Sequence, residues 1–124
     1  MPMKRPEDDV EVRTPVWDSL QMFFMDTDPA DFLQDMAEVC AKSPYSEEEI
    51  EAILFNEVLP ACRFNFIGVA PVWEGFETSW LVERILKKHR FGRGRPFLLR
   101  RYTTSWWKWL KPLMAARQSA APSA

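Results

Sequence analysis

Residues 46–60 have the sequence SEEEIEAILFNEVLP and predict an amphipathic helix. Their apolar positions recur three and four residues apart, so they share one helical face; they are Ile50, Ile53, Leu54 and Val58. Ser46 followed three residues later by Glu49 has the pattern of a capping box, and three glutamates suit the positive end of the helix dipole. Pro60 is expected to end the apolar stripe.

Three further segments have the same helical period. Thr14 and Pro15 are the residue types of a cap and a first helical position, which predicts a helix from there to about Met25. Other helices are expected at about residues 29–41 and 77–89. Residues 60–76, with two prolines and two glycines, predict either an irregular crossover or a short helix and a turn.

No alternating strand pattern of useful length is present, so the predicted fold class is all-α. We expect a compact array of about four helices, followed by a basic, Trp-rich C-terminal helical extension. The predicted core consists of Trp17, Phe24, Phe32, Met36, Ile53, Leu54, Leu81 and Ile85.

Charge is distributed very unevenly along the chain. The 124 residues carry 16 Lys and Arg and 18 Asp and Glu, a net charge of −2. All the acids lie at or before Glu83, where five basic residues leave a charge of −13, whereas residues 84–124 have eleven basic residues and no acid. The sequence therefore divides into a mobile arm (1–13), an acidic helical domain (14–90), a basic aromatic extension (91–117) and a disordered tail (118–124).

Composition excludes a collagen, a disulfide scaffold and a membrane-spanning protein. The two cysteines, Cys40 and Cys62, lie in separate apolar segments, so we expect buried, reduced thiols. The N-terminal segment has no apolar stretch typical of a signal peptide. These features favour a cytoplasmic location.

The extension is amphipathic, and its apolar face holds six large side chains: Trp106, Trp107, Trp109, Leu110, Leu113 and Met114. Lys108 and Lys111 point the other way, and Pro112 is expected to interrupt the helix. Six such side chains left exposed would drive aggregation, so we predict that four of them pack on the acidic body or on a second copy of the chain. These four are Trp106, Trp109, Leu110 and Leu113.

The arginines of the extension are expected to remain accessible and are candidates for binding an anionic ligand. They are Arg93, Arg95, Arg100 and Arg101. Basic residues interleaved with aromatic ones also suit a nucleic acid or an anionic membrane surface, and a protein partner is a further alternative.

Three groups of motifs resemble a family of short bacterial cytoplasmic proteins of unknown function. They are PVW at 15–17 with FFMDT at 23–27, SPYS at 43–46 with ILFNEVLPA at 53–61, and WLVERI at 80–85. The resemblance covers about residues 15–86 and implies a bacterial source. It implies no catalytic residue, because the family has no assigned reaction.

The sequence shows no convincing catalytic or metal-binding set. His89, the only histidine, lies in a basic run at a helix end, and one histidine with two cysteines cannot form a usual zinc site. The carboxylates Asp26, Asp28, Asp31 and Asp35 lack the glycine and glutamate of a calcium loop. We therefore expect no metal and no cofactor.

An acid-only catalytic site around Glu57, with Glu74 or Glu77, is the remaining enzymatic alternative. A partly buried glutamate more often accepts hydrogen bonds within its own fold. We therefore expect the protein not to be an enzyme.

The favoured function is a protein-binding one, in which an immunity or antitoxin-like protein neutralises a basic toxin or nuclease through an acidic helical surface. The surface is expected to include Asp28, Asp31, Asp35, Glu47, Glu48 and Glu51. The alternative function is a nucleic-acid-associated regulator that uses the basic aromatic extension.

Overall fold

The computed structural model describes residues 4–25, 28–62, 77–91 and 97–120, without the side chains of 88–91, 97–99, 119 and 120. The helices are α1 (Val10–Leu20), α2 (Leu33–Lys42), α3 (Glu47–Ile53), α4 (Leu59–Cys62), α5 (Thr78–Phe91) and α6 (Phe97–Ala120). Over these ranges the chain contains no strand, so the all-α prediction is confirmed. The predicted crossover lies mainly outside the described residues.

One core joins all the long helices. Its fully buried side chains include seven of the eight predicted core residues, and Phe32, the eighth, is half-buried against the same cluster. The most extensive helix contact is between α2 and α6, while α5 packs against α1 and α4. The C-terminal helix is therefore part of the core.

The helix that begins at Glu47 is continuous to Cys62 and widens on the way. Ser46 and Glu49 form the predicted capping box, with both reciprocal hydrogen bonds present. Leu54–Val58 is a π turn, in which the Leu59 amide donates to the Leu54 carbonyl five residues back. In an α-helix the ring of Pro60 would clash with the Asn56 carbonyl. The wider turn before Pro60 relieves that clash, so the helix does not end there.

The N-terminal segment differs from the prediction of a mobile arm followed by a helix at Thr14. Pro6–Asp8 forms a 3₁₀ turn, and α1 begins at Val10, so that Pro15 lies inside the helix on its exposed side. The Thr14 hydroxyl donates to the Val10 carbonyl, 2.6 Å away, instead of capping. Gln21–Phe24 continues α1 as a 3₁₀ turn.

The predicted second helix begins as a 3₁₀ turn. The Asp28 carboxylate caps it by accepting from the Ala30 amide, and Pro29–Phe32 precedes α2. Residues 26 and 27 of the predicted turn lie outside the described residues.

The C-terminal helix also differs from expectation, because α6 continues through Pro112 and reaches Ala120. Pro112 cannot donate to the Lys108 carbonyl. Both residues lie on the exposed side of α6, where water can satisfy that carbonyl. The predicted disordered tail is helical at 118–120, and residues 121–124 lie outside the described residues.

Both cysteines are free and buried, as predicted. Burial raises the pKa of the Cys40 thiol to about 12 and also raises the pKa of Cys62. Among the described helices, none is at once long enough and apolar enough to cross a bilayer.

Candidate functional site

A buried polar cluster lies between α1 and the π turn. Arg13, which is fully buried, donates from Nη1 to Oε2 of Glu57 at 2.8 Å. The indole Nε1 of Trp17 donates to the other carboxylate oxygen at 2.7 Å. Both oxygens of Glu57 therefore accept from protein donors, and the residue is only 4% exposed.

The cluster extends to the chain entering α1 and to the turn before α3. Arg13 Nε donates to Asp9 Oδ2 at 3.3 Å, its Nη2 donates to the Lys4 carbonyl, and the Tyr45 hydroxyl donates to Asp9 at 2.5 Å. Burial opposes the charge on Arg13, but the Glu57 carboxylate and the contact with Tyr45 raise its pKa overall. The guanidinium therefore remains charged and is shared by two carboxylates. We call Asp9, Arg13, Trp17, Tyr45 and Glu57 the buried polar cluster.

This geometry concerns the acid-only catalytic site around Glu57 that the sequence left as an alternative. Both oxygens of the Glu57 carboxylate accept hydrogen bonds from fully buried side chains, Arg13 and Trp17. Glu77 is exposed and accepts a hydrogen bond from the Ser79 hydroxyl at 2.9 Å, while Glu74 lies outside the described residues. Glu57 therefore connects the π turn to α1 through two hydrogen bonds.

The acids predicted to bind a partner lie on two helical segments. On the outer side of α2 and the turn before it, Asp28, Asp31 and Asp35 are exposed. Glu38 continues this ridge and pairs with Lys42 at 3.0 Å. In the part of the chain that the structure describes, no basic nitrogen lies within 4.0 Å of the first three carboxylates.

On α3, Glu48 and Glu51 are exposed and Glu47 is half-buried. Helical spacing puts Glu51 one turn before Phe55 on the same outer side. The guanidinium of Arg100 from α6 lies over the Phe55 ring at 4.9 Å. We call the exposed carboxylates of these two helical segments the acidic surface; they are Asp28, Asp31, Asp35, Glu48 and Glu51. The two segments belong to different helices, and α6 packs on both α2 and α3.

The inner face of α6 packs on the body largely as predicted. Leu110 is fully buried, Trp106 and Leu113 are half-buried, and Trp107 is buried although the predicted packing set did not include it. Trp109 is 66% exposed and does not pack on the body. Its helical position explains this, because Trp109 lies about 100° from Leu110, at the far edge of the apolar arc.

Hydrogen bonds from Tyr102 and Arg117 connect α6 to other segments. The Tyr102 hydroxyl donates to the Phe23 carbonyl at 2.7 Å, and Arg117 donates to the Gln34 side chain at 2.7 Å. The first ties α6 to the 3₁₀ turn after α1, and the second ties it to α2.

The outer face of α6 is basic. Arg100 and Arg101 are exposed, as predicted, and Lys108 and Lys111 lie on the same side. An open cleft of about 400 Å³ lies along it, lined by Arg100, Arg101, Thr104, Ser105 and Lys108. The other two anionic-ligand candidates, Arg93 and Arg95, lie outside the described residues. We call Arg100, Arg101, Lys108 and Lys111 the basic face.

The side chain of His89 lies outside the described residues, so the structure does not test its predicted place at a solvent-exposed helix end. The described part of the chain contains no group of three His, Cys, Asp or Glu side chains arranged to hold a metal ion.

Comparison with known protein families finds one family for the chain. A family model described as Domain of unknown function (DUF7079) matches residues 11–120, and the chain belongs to that family. The match begins in α1 and ends with α6, so the basic C-terminal helix is part of the family domain. Neither the curated proteins nor the solved structures contain a match to the chain.

Proposed function

We propose that this member of the DUF7079 family is a bacterial, cytoplasmic, non-enzymatic binding protein of the immunity or antitoxin type. Its partner would be a protein with a basic functional site, such as a toxin or nuclease, and the acidic surface would cover that site. The observation that carries the proposal is the exposure of this surface without neutralising cations within the described residues.

The positions of the acids support a binding role. Asp31 and Asp35 are four residues apart on the outer side of one helical segment, where like charges weaken a helix slightly. Such a ridge costs the fold a little stability, whereas it raises the association rate with a basic partner. Glu48 and Glu51 extend the negative potential onto α3, although Glu48 also benefits from the helix dipole.

The internal carboxylates support the non-enzymatic part of the proposal. Glu57 and Asp9 share the Arg13 charge and are occupied by the fold. The acids of the acidic surface are a separate set, and they are exposed to solvent.

The test is co-production of the chain with the protein encoded by the neighbouring gene, followed by measurement of growth and of association rate. We expect the chain to restore growth. The double substitutions Asp31→Lys/Asp35→Lys and Glu48→Lys/Glu51→Lys should each slow association about tenfold or more at low salt.

The matched control is Glu11→Lys/Glu83→Lys, which makes the same charge change at two exposed acids outside the acidic surface. It should retain most of the association rate. Equal rates for all three variants, or a neighbouring protein that is neither toxic nor bound, would contradict the proposal.

A further inference from the structure

The outer face of α6 has chemistry that protein binding through the acidic surface does not use. We propose that it is a docking surface for single-stranded nucleic acid, with the basic face on the phosphates and Trp109 beneath an unpaired base. This inference is independent of the proposed function, because it concerns the opposite charge and a different helix.

The apolar face of α6 is already occupied. Leu110 and Met114 are fully buried and Trp107 is nearly so, packed with the core. A helix that binds a membrane surface must insert its apolar face into the lipid, and here that face faces the protein. The part of α6 left for a ligand is polar and cationic.

The cations of the basic face form a row along α6. At about 100° per residue, the four side chains of the basic face lie within an arc of about 100° on one side of α6. With a rise of about 1.5 Å per residue, Arg101 and Lys108 are about 10 Å apart along the axis, and Arg100 and Lys111 about 16 Å. A row of this length suits a polyanion with repeated charges better than a single small anion.

The space between these cations is open. Thr104 and Ser105 lie between Arg101 and Lys108, and their hydroxyls donate inward, to the Arg100 and Tyr102 carbonyls at 2.8 and 2.7 Å. Their small side chains leave the cleft of about 400 Å³ open between the long basic ones. A phosphate chain could lie in this cleft with cations on both sides.

An aromatic side chain lies beside the row of cations. Trp109 is the most exposed of the large hydrophobic residues in the described chain, at 66%. An accessible indole next to phosphate-binding cations forms a stacking platform for an unpaired base. A duplex offers no free base face, so the presence of Trp109 favours a single strand.

Local charge favours the same ligand. The sequence from residue 84 to residue 124 has eleven basic residues and no acid, so no carboxylate of this segment repels a phosphate. Among the described residues, no carboxylate lies within 4.0 Å of the four cations of the basic face. Arg100 is also ordered by its contact with Phe55, which lowers the entropy lost on binding.

The experiment measures fluorescence anisotropy of a labelled oligothymidylate of about 16 nucleotides, and of a labelled duplex, with the full chain. We expect tighter binding of the single strand. Its log affinity should fall linearly with log salt between about 50 and 200 mM, with a slope near −3 if all four cations contact phosphates.

Two variants separate the contributions. Arg101→Glu/Lys108→Glu should weaken binding about tenfold or more and flatten the salt slope. Trp109→Ala should weaken binding about fivefold or more without changing that slope, because stacking carries no charge. The charge-matched control Arg5→Glu/Lys42→Glu, which reverses two exposed cations elsewhere, should bind about as tightly as the unmodified chain.

The proposal is overturned if no anisotropy change occurs at about 50 mM salt, or if the control and Arg101→Glu/Lys108→Glu lose affinity equally. Tighter binding of the duplex would also overturn it. So would a concentration-dependent dimer that Trp109→Ala dissociates, because the face would then be an interface between copies of the chain. Circular dichroism of each variant shows whether the helices are retained.

Discussion

The first and last long helices are attached to the same body by partly different chemistry. Besides its apolar side chains, α1 is held by a buried charge, since Arg13 reaches Glu57 across 44 residues of sequence and shares its carboxylate with Trp17. α6 is held by apolar side chains, chiefly Leu110, Met114 and Trp107. The polar groups of α6 are mostly turned outward.

The two attachments differ in what they contribute. A buried ion pair pays a large desolvation cost, so it adds little net stability but is very costly to break on one side. Apolar burial contributes stability directly but fixes position less sharply. We interpret the Arg13–Glu57 pair as the contact that sets the register of α1, and the apolar face of α6 as a main source of stability.

The largest expected loss of stability comes from breaking the Arg13–Glu57 pair. Glu57→Gln removes the charge that compensates Arg13 while keeping the size of the side chain. It should lower the free energy of unfolding by about 3–5 kcal/mol, as expected for an uncompensated buried charge. Urea unfolding followed by circular dichroism measures the loss.

The matched control is Glu48→Gln, which makes the same change at an exposed position of the same helix. It should alter the free energy of unfolding by no more than about 0.5 kcal/mol. A loss below about 1 kcal/mol for Glu57→Gln would mean that Arg13 finds other compensation and that the comparison between the two helices is wrong.

The second largest loss of stability is expected from the apolar face of α6. Leu110→Ala leaves a cavity under α6 and should cost about 2–5 kcal/mol. Trp109→Ala, the adjacent exposed position, should cost less than about 0.5 kcal/mol. Equal losses for these two variants would show that Trp109 is covered in solution, by a second copy or by another part of the chain.

The smallest effect concerns alkaline pH. Burial, together with the hydrogen bond to Asp9, raises the pKa of Tyr45 to about 12 in the folded chain. The unfolded tyrosine ionises near about 10. The stability due to this shift is therefore fully present below about pH 10 and is lost as the pH rises toward 12.

Urea midpoints measured at pH 9, 10 and 11 test this, with the unmodified chain compared with Tyr45→Phe. At pH 9 the urea midpoint of Tyr45→Phe should be lower than that of the unmodified chain, because the variant lacks the hydrogen bond to Asp9. Its midpoint should then fall less between pH 9 and pH 11. A parallel decline of both chains would assign the alkaline loss to other groups, such as the buried thiols.

Much of the fold could be predicted from the sequence because its signals are local. The stripe of Ile50, Ile53 and Leu54 and the box of Ser46 and Glu49 need only neighbours three and four residues away. The docking of α6 could be predicted because an apolar face of that size has to be covered.

The buried polar cluster could not be predicted, because its partners are distant in sequence. Arg13 lies in a charged, proline-containing segment that is typical of a mobile arm, and nothing local shows that Glu57 is its partner. One signal was present: Glu57 lies three residues after Leu54, beside the buried stripe, where a carboxylate needs hydrogen-bond donors or a cation as partners. The helical wheel places Trp109 at one edge of the apolar arc and Trp107 at the other, and only the packing of α6 decides that Trp107 is the edge that is buried.

The labelling rates of the two thiols can report which part of the protein opens first. Cys40 lies on α2, the helix that packs on α6, whereas Cys62 lies on α4, which packs on α5. Since both are buried and have raised pKa values, a thiol reagent at neutral pH can reach each one only when its surroundings open. The ratio of the two labelling rates therefore reports which side of the protein separates first, without any substitution. Departure of α6 alone would label Cys40 ahead of Cys62, and global unfolding would label the two at the same rate.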